Sequence, residues 1–168
     1  MRQPSPIQVL IRPADLDRPE DAKAVVTLLD AYAADPMGSG EPLPQDTRDR
    51  LVPALRRVPG HLVMLAFARE RAIGLAICFP GLSTFRARPL LNIHDLAVLP
   101  DHRGQGVATA LLAAIEAEAL RRGCCKLTLE VREDNPAAEA LYRKLGFGAG
   151  SAAGRPVQYR FLEKPLAR

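Results

Sequence analysis

The spacing of apolar residues predicts four helices along the chain. In each predicted helix the apolar side chains recur every three or four residues, so that they share one side. Proline and glycine mark several of the ends: the first helix is expected to stop before Pro36, and the third before Gly123. Pro53 would lie inside the second helix, where it removes a backbone donor. The predicted segments are residues 20–34, Gln45–Arg57, Gln105–Arg122 and Asn135–Gly146.

Other segments alternate between apolar and polar residues, or are apolar throughout, as strands are. The predicted strands are Ile7–Ile11, His61–Arg69, Ala72–Phe79, Leu90–Val98 and Cys125–Val131, with candidate closing strands at Phe147 and Val157–Leu162. Residues 35–44 and 82–89 are expected to be loops. Regular alternation of strand and helix is absent, which argues against a doubly wound nucleotide-binding fold.

Length and composition favour one globular domain over residues 1–168. The chain is 48% hydrophobic, enough for a sizeable core, and its net charge of +4 is mild. No long basic run indicates a nucleic-acid partner, and no apolar run indicates a signal peptide or membrane span. We therefore expect a cytoplasmic protein whose slight positive charge suits a small anionic ligand.

Spacing also weighs against several kinds of chemistry. The three cysteines, Cys78, Cys124 and Cys125, lack CxxC spacing and are expected to be inert thiols. No cluster has metal-ligand spacing, so no metal is expected. A G-x-S-x-G nucleophile elbow is absent, which disfavours covalent acyl transfer.

A glycine-rich turn lies where a predicted strand ends near Val98 and the third helix opens at about Gly104. Gly104 and Gly106 let the backbone approach a ligand closely. The first amides of a helix have no internal partner, and the helix dipole favours negative charge, so the turn suits a diphosphate, with the Arg103 guanidinium at its rim. The G-x-G-x-x-G spacing of dinucleotide sites is missing. A glycine-rich turn without a ligand is the plain alternative.

Two linked motifs carry a family resemblance. Arg103-x-x-Gly106-x-Ala108 matches the Q/R-x-x-G-x-G/A signature of the GNAT superfamily of N-acetyltransferases, and Asp95-Leu96-Ala97-Val98 resembles the strand that precedes it. Downstream, the segment Asn135–Phe147 resembles the family pattern N-x-x-A-x-x-L-Y-x-K-x-G-F. The resemblance covers about residues 90–147, and the N-terminal half resembles the family only in its order of elements.

The resemblance implies an α/β fold with a mixed, largely antiparallel sheet of six or seven strands and about four helices. The strands at 90–98 and 125–131 would splay apart, and acetyl-CoA would bind in the gap. Strand backbone would pair with its pantetheine arm, turn amides would hold its pyrophosphate, and residues of the last helix would contact the arm. These cofactor-binding residues are Leu96, Ala97, Val98, Arg103, Gly104, Gln105, Gly106, Val107, Ala108, Thr109, Asn135 and Ala138.

Two residues are implied as catalytic. Tyr142 would donate a proton to the departing thiolate, although a core tyrosine on a helix face explains it as well. His94 stands where some family members place a glutamate base, and strict alternation would put it on one side with Asn92, Leu96 and Val98, opposite Ile93, Asp95 and Ala97. A structural His94–Asp95 pair is the alternative. Glu130 is a weaker candidate base.

The acceptor is expected to be a small-molecule primary amine that attacks the thioester directly. A protein N-terminus or lysine is an alternative acceptor, and a non-catalytic acyl-CoA sensor is an alternative of another class. The resemblance assigns acceptor choice mostly to the N-terminal helices and loops. The acidic residues there, Asp35, Glu41 and Asp46, are expected to be solvated, and attraction of a cationic amine is the alternative. An exposed edge near the C-terminal strands would support a homodimer.

Overall fold

The computed structural model describes residues 8–148, 150–152, 155–157 and 161–166, which fall into two compact units divided between Leu129 and Glu130. The helices are α1 (Pro19–Ala34), α2 (Gln45–Arg56), α3 (Val107–Arg121) and α4 (Pro136–Lys144). The strands are β1 (Val9–Pro13), β2 (Leu62–Ala68), β3 (Arg71–Ser83), β4 (Arg88–Val98), β5 (Leu127–Leu129), β6 (Gly150–Ala152) and β7 (Arg155–Val157).

The first unit is a five-stranded sheet with helices on both faces. Its strands lie in the order β1-β2-β3-β4-β5, and neighbours are antiparallel except for β4 and β5, which are parallel. One face packs under α1 and α2, where Val25 and Leu28 share a core with Leu75 of β3. The other face lies against α3, and a Cβ on Gly74 would stand 3.3 Å from the Leu111 side chain. The mixed, largely antiparallel sheet of the sequence prediction is confirmed.

A buried ion pair ties α1 to β1. Asp21, in the first turn of α1, is 2% exposed and accepts two hydrogen bonds from the Arg12 guanidinium, at 2.6 and 2.7 Å. It also accepts one from the Asp15 amide at 2.9 Å. These bonds hold the pKa of Asp21 below its usual range, first through Arg12.

Several predicted strand boundaries are wrong. Residues 82–89 were expected to be a loop, yet β3 runs to Ser83 and β4 begins at Arg88, since the two strands pair almost to the tip of their hairpin. β5 has three residues, against seven predicted, and the main sheet has five strands, against six or seven.

The candidate closing strands also differ from the structure. Phe147 is outside any strand. Of the predicted strand 157–162, Val157 ends β7, positions 158–160 lie outside the described residues, and 161–162 are not in a strand. The second unit instead contains α4 and the short antiparallel hairpin β6–β7.

Candidate active site

The glycine-rich turn between β4 and α3 has an open, left-handed backbone. Gly104 and Gly106 have φ values of 70° and 83°, and Gly106 is the residue from which α3 starts. L-residues with a Cβ rarely adopt these angles. A Cβ built on either glycine meets nothing within 4 Å, so the space beside the turn is free. Glycine is therefore required by the conformation of the turn and not by crowding around it.

Six consecutive amides line this turn. Within the described part of the chain, residues 104–109 donate no backbone hydrogen bond, and the Ala110 amide is the first to find a partner, the Gly106 carbonyl. No side chain caps the start of α3. Free donors at the positive end of a helix dipole form an anion site. The predicted pyrophosphate-binding residues from Gly104 to Thr109 thus lie together, with their amides available.

The Arg103 side chain makes two hydrogen bonds within the first unit. Its Nε donates to the Val98 carbonyl at 2.9 Å, and its Nη2 donates to Oδ2 of Asp35 at 2.7 Å. Asp35 is therefore paired with an arginine, so it is neither the solvated carboxylate nor the amine-binding carboxylate that the sequence left open. The Val98 carbonyl keeps a second lone pair for a ligand.

The edge of β4 that faces β5 is only partly used. β4 and β5 pair at three positions, from Leu91 with Leu127 to Ile93 with Leu129, while β4 continues to Val98. The Asn92 amide reinforces the paired end, because its Nδ2 donates to Oγ1 of Thr128 at 3.1 Å. Among the described residues, His94–Val98 have no strand partner on this side. Their peptide groups can pair with an extended ligand.

A β-bulge at His94 overturns the predicted alternation of β4. Ile93 pairs with Cys78 and Asp95 pairs with Ile77, so His94 has no partner of its own on β3. Directly paired residues share a face, which places Asp95 on the α1 and α2 side with Ile77. His94 is exposed, and its ring lies beside Phe79, with centroids 5.3 Å apart.

Because of the bulge, Asp95 becomes a candidate site residue, although strict alternation had placed it on the opposite side of the strand from His94. Burial raises the pKa of its carboxyl, and the neighbouring His94 lowers it to a smaller extent. No hydrogen-bond partner for the carboxylate is found in the described part of the chain. A half-buried carboxylate without a partner is a frequent feature of functional sites. Sequence reasoning missed it because a bulge shifts which residues share a face.

The second unit contains the other predicted site residues. The Asn135 side chain accepts a hydrogen bond from the Ala138 amide at 3.1 Å, so Asn135 is the N-cap of α4 and this amide is already engaged. Tyr142 makes an edge contact with Phe147, with ring centroids 5.8 Å apart. Their predicted roles toward a cofactor remain predictions.

Neither a reactive Cys78 thiol nor a metal-ligand cluster is found among the described residues. Burial raises the pKa of the Cys78 thiol to about 12, so it is not a thiolate near neutral pH. Over the described ranges, no three His, Cys, Asp or Glu side chains gather as metal ligands would. In those ranges, no helix is both long enough and apolar enough to span a bilayer.

The chain matches known proteins over most of this structure. Residues 25–147 match the sequence model of the acetyltransferase (GNAT) family. An acetyltransferase of Yersinia pestis (strain Pestoides F) and one of Pectobacterium atrosepticum are each 48% identical over 56 residues, which are 33% of this chain and 40% of each relative. The chain thus spans about two fifths of the length of these curated relatives.

Solved structures share the fold. An aminoglycoside acetyltransferase from an uncultured soil metagenomic sample superposes with a TM-score of 0.71 at 18% identity, over 93% of this chain and 97% of that one. A ribosomal-protein-alanine N-acetyltransferase from Brucella melitensis superposes with a TM-score of 0.66 at 23% identity, over 92% of this chain and 100% of that one. The identities are low, so these likenesses concern the fold alone.

Proposed function

The chain belongs to the GNAT acetyltransferase family, and from this premise we propose that it works as a single N-acetyltransferase domain that moves an acetyl group from acetyl-CoA to a primary amine. The observation that carries the proposal is the row of free amides at residues 104–109, next to the unpaired end of β4. Together they offer donors for a diphosphate and an edge for an extended, amide-containing arm.

The residues present fit this donor. The space beside Gly104 and Gly106 is open, and a Cβ at either position would occupy it. Backbone groups of Leu96 and Val98 would pair with the pantetheine, and the amides from Gly104 to Thr109 would hold the pyrophosphate. Acetyl-CoA supplies an acetyl group activated as a thioester.

Proton removal from the acceptor is assigned to Asp95, with His94 as the neighbouring alternative. A primary amine is mostly an ammonium ion at neutral pH and must lose a proton before it attacks. A carboxylate whose pKa is raised by burial holds a proton more tightly than a solvated one, which makes Asp95 a better base. The sequence resemblance favours His94 because it stands where some family members place a glutamate base, and that role stays a prediction.

Proton delivery to the leaving thiolate is assigned to Tyr142 on the strength of the sequence pattern around it. Direct attack by the amine is favoured over an acyl-enzyme, since the high pKa of Cys78 removes one candidate nucleophile.

The acceptor is proposed to be a small-molecule amine. The name of one structural neighbour, an aminoglycoside acetyltransferase, refers to amines of this kind, whereas the name of the Brucella neighbour refers to the alanine of a ribosomal protein. Protein N-termini are therefore a second class of acceptor, which the experiment below includes as short peptides.

The test measures release of free thiol from acetyl-CoA with a panel of aminoglycosides, polyamines, amino acids and short peptides. We expect saturable, amine-dependent thiol release with at least one small amine. Tight acetyl-CoA binding without thiol release from any amine would favour a sensor, and release with peptides alone would assign a protein acceptor.

A further inference from the structure

The side chain of Arg103 joins two parts of the first unit that are far apart in sequence. Arg103 opens the glycine-rich turn, and Asp35 follows the last residue of α1, where the loop to α2 begins. Their side chains meet at 2.7 Å, with Asp35 only 11% exposed and Arg103 48% exposed. The second bond of Arg103, to the Val98 carbonyl, fixes its guanidinium against the end of β4.

Asp35 is also the centre of its own loop. Its Oδ1 accepts from the Met37 amide at 2.9 Å, and its backbone carbonyl accepts from the amides of Gly38 and Gly40 at 2.8 and 3.2 Å. The Met37 amide, and then Arg103, hold the pKa of Asp35 below its usual range. Oδ1 of Asp35 thus accepts a hydrogen bond within the α1–α2 loop, while Oδ2 accepts one from Arg103 of the turn.

A small cleft lies between α1 and the end of β4. Leu28 and Tyr32 of α1 form one wall, and Ala97 and Val98 of β4, with Arg103, form the other. Arg103 is part of this lining, and its ion pair with Asp35 ties it to the residue that follows α1.

We propose that Asp35 is a positioning residue that, through Arg103, couples the α1–α2 loop to the anion-binding turn. The proposal rests on the function proposed above, in which this turn holds acetyl-CoA. Because the guanidinium is already shared by Asp35 and Val98, the amides of the turn bind the pyrophosphate, and Arg103 keeps the turn in shape. A substitution that loosens the loop should then also loosen the turn, and the reverse should hold as well.

The direction in which removal of Asp35 changes acetyl-CoA binding distinguishes this positioning role from a purely electrostatic one. Asp35 is a negative charge near an anion site, so simple Coulomb repulsion predicts that its removal strengthens acetyl-CoA binding. If Asp35 positions the turn, its removal weakens binding. The test variant is Asp35→Asn, which keeps an oxygen for the Met37 amide but turns an NH₂ group toward Arg103.

Asp30→Asn is the matched control. Asp30 lies on α1, which Asp35 follows, and it accepts a hydrogen bond from the Leu43 amide at 2.8 Å and pairs with Arg48 at 3.4 Å. It makes the same kinds of contact at the far end of the same loop. We expect calorimetry with acetyl-CoA to show at least about a threefold weaker binding for Asp35→Asn and no change for Asp30→Asn.

A readout in the ligand-free protein keeps this test independent of the proposed activity. Arg103→Ala should speed amide hydrogen exchange at Met37, Gly38 and Gly40, although these residues lie far from position 103 in sequence. The double variant with Asp35→Asn should exchange no faster than either single variant. Unchanged exchange in Arg103→Ala, or tighter acetyl-CoA binding by Asp35→Asn, overturns the coupling. Failure of the wild type to bind acetyl-CoA would instead overturn the proposed function.

Discussion

Substitution of Gly106 by alanine isolates the role of the turn from its effect on folding. Gly106 is left-handed, and a Cβ in that conformation is unfavourable by about 1–2 kcal/mol. Alanine offsets about 0.4–1 kcal/mol of this by restricting the unfolded chain. The net loss in the free energy of unfolding is then about 1 kcal/mol, a fall in Tm of roughly 2–4 °C for a chain of this length.

The expected effect on the ligand is much larger. The methyl group of Gly106→Ala would stand in the open space beside the free amides and hold the pyrophosphate away from at least one of them. A hydrogen bond to a charged group contributes about 1.5–3 kcal/mol, so the Kd for acetyl-CoA should rise about 10- to 100-fold.

Gly123 provides a control at the opposite end of the same helix. Its φ is 70°, and a Cβ there also meets nothing within 4 Å. Gly123→Ala therefore carries a similar strain, and thermal unfolding should give a similar fall in Tm, but titration calorimetry should give an unchanged Kd. Wild-type affinity in Gly106→Ala, or an equal loss of affinity in Gly123→Ala, would refute the assignment of the turn.

Three further predictions concern the half-buried Asp95, its neighbour His94 and the buried Asp21, and those for the two carboxylates are tested by thermal unfolding against pH. Because the pKa of Asp95 is raised in the folded state, the fold loses stability as pH rises from about 3.8 through that higher value. Asp95→Asn should therefore raise Tm at neutral pH but not in acid, and it should abolish most thiol release. A lower Tm of the variant at neutral pH would contradict this prediction. His94→Gln should keep the acid limb of the kcat/KM profile if Asp95 is the base. The pKa of Asp21 is lowered, so its effect on stability runs the other way: the stability it contributes is full above about pH 3.8 and is lost as pH falls through the lower folded pKa. Asp21→Asn should destabilise the fold by ~3 kcal/mol at neutral pH because Arg12 loses its buried partner. A loss below ~1 kcal/mol would show that the pair does not hold α1 to β1.

The helices were predictable because their signals are local. Apolar spacing and the flanking prolines located α1, α2 and α4 to within a residue or two. The start of α3 was predicted two residues early, since Gly106 takes a left-handed conformation before helical angles begin at Val107. The motif around Arg103 also predicted an anion site whose amides are found free.

Features that depend on two distant segments were not predictable. The bulge at His94 is a property of the register between β3 and β4, and neither strand shows it alone. The extension of β3 to Ser83 arises in the same way, from pairing that overrides a locally loop-like composition. Asp35 and Arg103 are 68 positions apart, so nothing in the spacing indicated their contact.

The most direct test of the central claim follows the acetyl group itself. Acetyl-CoA carrying an isotopically labelled acetyl group is incubated with wild-type protein and the best amine of the panel, and the free thiol and the labelled amide are quantified by mass spectrometry. We predict one labelled N-acetyl product for each thiol released, and a large loss of both in Tyr142→Phe. Thiol release without a labelled amide, or bound acetyl-CoA that no amine consumes, would contradict N-acetyl transfer.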